Sequence, residues 1–278
     1  MVSKVSMVSK VSIVSTVSIV SIVWLSLILF ADADQYKTLG IQHKSMPLTC
    51  IFEPHPQITD KSDDIIQATE SAVGGWESAL MTHSPNGVWS LYTTVVPIEL
   101  HHLKSPYDFP ECDILISFEY ANTEDHLGYT GINFHKSYHK FTHAVIFLNA
   151  FESIPKIQIV FGDGGGTTEI KENITIEELA IPVIQNIITH EYGHALGLGH
   201  YNVTDYPIYT DDKPWIEASV MYYALNPYDE EIMTPKYVDV KMMEKIYYTD
   251  GFGGTPVTKV PRTGFYSSGD NDICTFRC

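Results

Sequence analysis

The stretch His190-Glu191-Tyr192-Gly193-His194-Ala195-Leu196-Gly197-Leu198-Gly199-His200 places three imidazoles and one carboxylate within eleven residues of a 278-residue chain. On a helix that advances about 100° per residue, His194 lies about 40° around from His190 and one turn along, so both rings can meet one metal ion. Glu191, beside the first ring, can reach a water on that metal without ligating it, which is the position of a general base. His200 is different, because continued helix would point it roughly 240° away from His194. It joins the same ion only if the chain turns. Gly197 allows that turn, since glycine enters the left-handed conformation that ends helices, and Gly199 adds a second permissive point. Three neutral imidazoles with one open position form the ligand set of a catalytic zinc, whereas structural zinc is closed by four protein ligands. The chemistry implied is hydrolysis.

The spacing H-E-x-x-H-x-x-G-x-x-H resembles the motif of the metzincin superfamily of zinc endopeptidases, which is followed downstream by a Met-turn. Ser219-Val220-Met221-Tyr222-Tyr223 reads as that turn. The resemblance implies that Met221 forms an apolar floor beneath the metal. It also implies a catalytic role for Tyr223, which stands where the astacin and serralysin branches carry a tyrosine near the zinc; a phenol there donates a hydrogen bond to the oxyanion. Matrixins usually have proline at that position, yet Ala195 to His200 is similar to matrixins, and Tyr201 fits none of these branches. The resemblance therefore reaches the superfamily and stops short of a branch.

The fold it implies is α/β (α+β): a mixed twisted sheet with a backing helix and an active-site helix, then a smaller irregular lower subdomain holding the Met-turn and a carboxyl-terminal helix. The function it implies is a secreted zinc-dependent endopeptidase in which His190, His194 and His200 bind one Zn2+, Glu191 is the general base and a polypeptide substrate lies extended. Two alternatives stand beside it. One is a catalytically silent, zinc-stabilised extracellular binding protein of the same fold, against which Glu191 argues because a structural site needs no general base. The other is a hydrolase of a non-peptide amide.

The elements that must position these residues are legible from periodicity. Met46 to Phe52 reads as a strand, and Asp60 to Leu80 as a helix with Ile65, Ile66, Thr69, Val73, Trp76 and Leu80 at helical spacing. Val88 to Ile98, Asp113 to Tyr120 and Thr142 to Leu148 read as further strands, the second apolar enough to be buried on both faces. His126 to Gly131 lies where the resemblance places an antiparallel edge strand, whose exposed backbone would bind substrate by strand addition. Thr175-Ile176-Glu177-Glu178 has the form of a capping box, which predicts a helix start before the zinc motif. Pro182 either kinks that helix or occupies the first turn of an active-site helix running from about Pro182 to Leu196. Thr234 to Asp239 predicts a last helix with Pro235 at its first position and a stripe of Val238, Met242 and Ile246.

Residues 1–33 have a positive start, an apolar stretch from about Ile13 to Phe30 and an Ala31-Asp32-Ala33 site, and read as a cleaved signal peptide or, uncleaved, as a membrane anchor. Residues 34–250 are the expected catalytic domain, upper subdomain 34–200 and lower subdomain 201–250, and 251–278 an appended tail. Without residues 1–33 the formal charge is −18, which disfavours nucleic acid as a partner. Four cysteines, Cys50, Cys112, Cys274 and Cys278, suit an exported protein. A Cys50–Cys112 bridge joins two predicted strands and Cys274–Cys278 would close a small loop, but three pairings remain open. Asp163 to Gly166 offers a weak Ca2+ loop. His126, His135, His139 and His143 lack the spacing of a second metal site and read as surface histidines. Asn173 and Asn202 begin glycosylation sequons.

Overall fold

The computed structural model describes residues 36–56, 59–97, 109, 111–119, 127–135, 140–149, 151–160, 169–201, 219–222, 230–252 and 273–277. Apart from Tyr36, all of these belong to one compact unit, Lys37–Cys278. The proposed signal segment, Tyr223, Asn202, His126, His139 and Asp163 to Gly166 lie outside the described residues.

Ten strands and three helices follow in chain order among the described residues: β1 (Tyr36–Thr38), β2 (Leu48–Phe52), α1 (Ser62–His83), β3 (Tyr92–Val96), β4 (Ile114–Glu119), β5 (Gly128–His135), β6 (Lys140–Asn149), β7 (Phe151–Val160), β8 (Glu169–Glu178), α2 (Ile181–Ala195), β9 (Leu198–Tyr201), α3 (Tyr237–Tyr247) and β10 (Ile273–Arg277). Five strands make a mixed sheet in the order β5-β6-β4-β2-β3, and β10 extends it beyond β5. The β3, β2, β4 and β6 strands run parallel, and β5 returns antiparallel to β6. The class is α/β, as the alternation of strands and helices predicts.

The middle of the sheet is the core. Ile114, Leu115 and Ile116 are all fully buried, so β4 is covered on both faces as its unbroken apolar run requires. Cys50 of β2 and Cys112, just before β4, form the disulfide, with Cα atoms 5.7 Å apart. Helix α1 buries Ile65, Ala68, Thr69, Ala72, Val73, Trp76 and Leu80. Trp76 ties it to α2, its indole Nε1 donating to the Thr189 carbonyl at 2.8 Å. The rings of Trp89, Tyr247 at the end of α3, and Phe252 pack edge to face.

Several expectations change. Thr175 to Glu178 caps no helix: these residues end β8, paired antiparallel with β7 through ten residues. Ile174, Thr175 and Ile176 are β-branched, which favours a strand, and a helix begun there would need at Pro182 a backbone N–H that proline lacks. Glu178 instead accepts a hydrogen bond from the Thr59 hydroxyl and pairs with Lys61 Nζ at 2.7 Å. Helix α2 starts at Ile181, with Pro182 in its first turn. Helix α3 starts two residues after Pro235, because the Asp239 carboxylate accepts the Lys236 N–H at 2.7 Å and sets the first turn there. Its buried stripe is Val240, Met242, Met243 and Ile246, with Val238 only half-buried.

The tail and the sheet edge differ most from expectation. Residues 273–277 are not merely appended, since they form a strand antiparallel to β5 with Phe276 opposite Thr130 and Thr275 opposite Gly131. The outer edge of β5 is thus paired rather than exposed. An open edge carries a row of unpaired backbone groups, and a segment of the same chain satisfies them here.

Candidate metal centre

Helix α2 holds the first two histidines and is itself held at both ends. Asn186 donates from Nδ2 to the Glu231 carbonyl and accepts the Met233 N–H through Oδ1, both at 2.8 Å. His190 and His194 fall on one face of the helix, with ring centroids 4.8 Å apart. Each ring is aimed by its Nδ1, which donates to a backbone carbonyl: Val220 for His190 and Leu198 for His194, both at 2.8 Å. That fixes the tautomer and leaves Nε2 as the lone-pair nitrogen in both, the arrangement of metal-ligating histidines.

His200 reaches the pair from β9. The turn before it is made at Gly197, whose φ is +105° and whose added Cβ would lie 2.6 Å from the Ile41 carbonyl oxygen. Neighbouring segments take up the freed carbonyls of the helix end. His43 Nε2 donates to the Ala195 carbonyl at 2.8 Å, the Tyr247 hydroxyl to Leu196 at 2.9 Å and the Leu39 N–H to Gly197 at 2.9 Å. Gly199 does not adopt a left-handed φ; it continues β9, so Gly197 alone makes the reversal.

The three ligand nitrogens lie within 4.8 Å of one another. The Nε2 atoms of His194 and His200 are 3.2 Å apart, close to the roughly 3.3 Å that two zinc–nitrogen bonds of about 2.0–2.1 Å span in a tetrahedron. His190 Nε2 is buried without a hydrogen-bond partner among the described residues, and a metal ion would satisfy its lone pair. The residues therefore fit a metal ion. Burial, and then the adjacent His200 ring, pushes His190 down to about 3 from the ordinary histidine value of 6.5. Burial and its two neighbouring imidazoles likewise push His194 well below that value. Both rings are neutral at physiological pH, as ligation requires.

Glu191 is fully buried, and the hydroxyl of Thr130 on β5 donates to both its carboxylate and its backbone carbonyl. Met221 is also fully buried beneath the helix: a Cβ on Gly193 would stand 2.2 Å from its sulfur and 2.9 Å from Trp76. Gly193 is glycine because Met221 lies against it. Asp239, buried on α3, locks this floor in place. Its carboxylate accepts from the Ser219 hydroxyl at 2.6 Å and the Val220 N–H at 3.3 Å, while Ser219 Oγ accepts the Met221 N–H at 2.9 Å.

The structure thus gathers His190, His194, His200 and Glu191, with Met221 below. Among the described residues this is the cluster of three or more His, Cys, Asp or Glu able to hold a metal. His143 is half-buried rather than a surface residue, and burial lowers its pKa against the opposing pull of Asp113. Thr130, Asp239 and the role of Gly193 were not foreseen. Thr130 carried one usable signal: in Gly128 to Phe134 it shares the inward phase of the strand with Ile132 and Phe134, a polar residue on an apolar face. The bonds of Asp239 to Ser219 and Val220 carried none, because those partners lie 20 and 19 residues away.

The chain matches no protein-family model, and no curated protein is significantly similar to it in sequence. That the three histidines could hold a metal rests on the geometry.

Proposed function

We propose that the chain is a secreted, zinc-dependent endopeptidase of metzincin type. The observation that carries this reading is the convergence of three oriented imidazoles next to a buried glutamate. His190, His194 and His200 would hold a zinc ion, which when bound would supply Lewis acidity and lower the pKa of water to about 7. Glu191 takes a proton from the attacking water and passes it to the leaving amine. Thr130 fixes the Glu191 carboxylate in the orientation for that exchange. Burial of the site excludes bulk water and strengthens each of these electrostatic contacts. In this reading Tyr223 donates to the oxyanion and the substrate is an extended polypeptide. The Cys50–Cys112 bridge supports export, and no helix among the described residues is long and apolar enough to cross a membrane.

The test compares residues 34–278 with their Glu191→Gln variant. Both should bind one zinc per chain, and the variant should lose roughly 10²- to 10⁴-fold in kcat on a peptide library. Zinc binding without cleavage of any peptide by the wild type would instead favour the silent binding protein or the non-peptide amidase. Equal cleavage by both proteins would remove Glu191 from the mechanism.

A further inference from the structure

The edge nearest the metal is occupied by the chain's own tail. Thr130 touches Glu191, so β5 is the strand that borders the site. The opposite edge of the sheet, β3, lies four strands away in the order β5-β6-β4-β2-β3, or roughly 19 Å at about 4.8 Å per strand. An extended polypeptide that pairs its backbone with the sheet and also brings a peptide bond to Glu191 must therefore add to the outer edge of β5. That edge already carries β10, in register from Ile273 opposite Asn133 to Arg277 opposite Tyr129. Phe276 is paired with Thr130 itself. The main-chain groups that would recognise a substrate are thus satisfied by residues 273–277, directly beside the carboxylate that is to do the chemistry.

From this juxtaposition we infer that β10 is an intramolecular occupant of the substrate-binding edge, and that an extended polypeptide gains the site by displacing it. The inference rests on the endopeptidase reading and adds to it the regulation of the same site. Occupancy by a tethered strand lowers apparent substrate affinity by the fraction of time the edge is free. A tail that is paired nine-tenths of the time slows cleavage at low substrate about tenfold. Processing, or a partner that captures the tail, would release that brake.

The experiment uses the full mature chain with Thr275→Pro and Phe276→Pro combined. Adjacent strand residues present their N–H groups to opposite sides, so one of these prolines removes a hydrogen bond to β5 whatever the phase. Two readouts are taken, with amide exchange at Ile114 to Ile116 of β4 reporting that the fold is intact. The first is hydrogen exchange at Tyr129 to Asn133, which should quicken by about tenfold or more at the amides facing β10. The second is kcat/KM on a peptide of ten or so residues, which should rise about tenfold with kcat little changed.

Faster exchange with faster cleavage supports the inference. Unchanged exchange overturns it, because the tail then does not hold the edge. Faster exchange with an unchanged, measurable cleavage rate also overturns it, since substrate then binds elsewhere. If the zinc-loaded wild type and variant both cleave nothing, the endopeptidase reading fails and the regulatory inference falls with it, while exchange still reports whether the strands pair.

Discussion

His190 and His194 stand one turn apart on a single helix, whereas His200 and the floor beneath the metal arrive from separate parts of the chain. The first pair needs only α2: its spacing is set by helical geometry and its burial by the sheet above. The second half needs a left-handed glycine, three donors from outside the helix and a buried aspartate on α3. A ligand pair carried by one helix loses little entropy on alignment, because the backbone has already fixed it. Ligands brought by turns must be held by contacts made elsewhere. The second half should therefore be the more easily broken, and selective damage to it is the way to test the comparison.

Acid should act most strongly, and on the helical pair. In the metal-free chain folded His190 stays neutral down to about 3, while the unfolded imidazole takes its proton near 6.5. The unfolded state therefore binds the extra proton first. This contribution to stability is whole above about 6.5 and falls as the pH drops toward 3, and His194 shifts in the same direction. Urea midpoints of chelator-treated protein should fall by several kcal/mol equivalent between pH 8 and pH 4; a flat profile would contradict the burial of these rings.

Asp239→Ala comes next. It strips the acceptor from the Ser219 hydroxyl and from the Val220 and Lys236 N–H groups, and should cost about 3 kcal/mol in chemical unfolding. Because the Val220 carbonyl orients His190, zinc affinity measured by chelator competition should also drop, by roughly tenfold or more. Wild-type affinity in this variant would show that the floor is passive. Gly197→Ala should cost about 2 kcal/mol, from its positive φ and the close Ile41 carbonyl. Its signature is selective: circular dichroism keeps the helix while zinc binding weakens through His200. Equal zinc binding with the same loss of stability would mean that the turn strains without moving the ligand.

Thr130→Val should be the mildest. Removing its hydrogen bond to Glu191 should lower kcat by about tenfold, with KM and zinc content kept, and Thr130→Ser should restore most of it. The same substitution made in Glu191→Gln should cost nothing further, because the two act through one group. Additive losses would make Thr130 a packing residue.

The same division separates what could be read in advance. The strands β2, β4 and β6 and helix α1 were legible because their apolar residues recur at the period of a buried face, a local property. The mistaken helix start at Thr175 shows where such reading stops. A capping box and a β-branched strand end share residues there, and the choice depended on a partner strand more than 20 residues upstream and on a proline downstream. The edge of β5 was misjudged for a related reason. Whether a strand is exposed depends on what pairs with it, and its partner is the last strand of the chain.

By itself, the sequence determined the three imidazoles, the glutamate and the glycine that bends the chain between them, because ligand type and short-range geometry are written in neighbouring residues. Only the tertiary structure decided that Thr130 holds Glu191, that Asp239 locks the Met221 segment in place, and that β10 covers the edge. Those contacts join segments from about twenty to more than a hundred residues apart. Which of many possible partners a side chain meets is fixed by the packing of the whole fold, and local spacing carries no record of it.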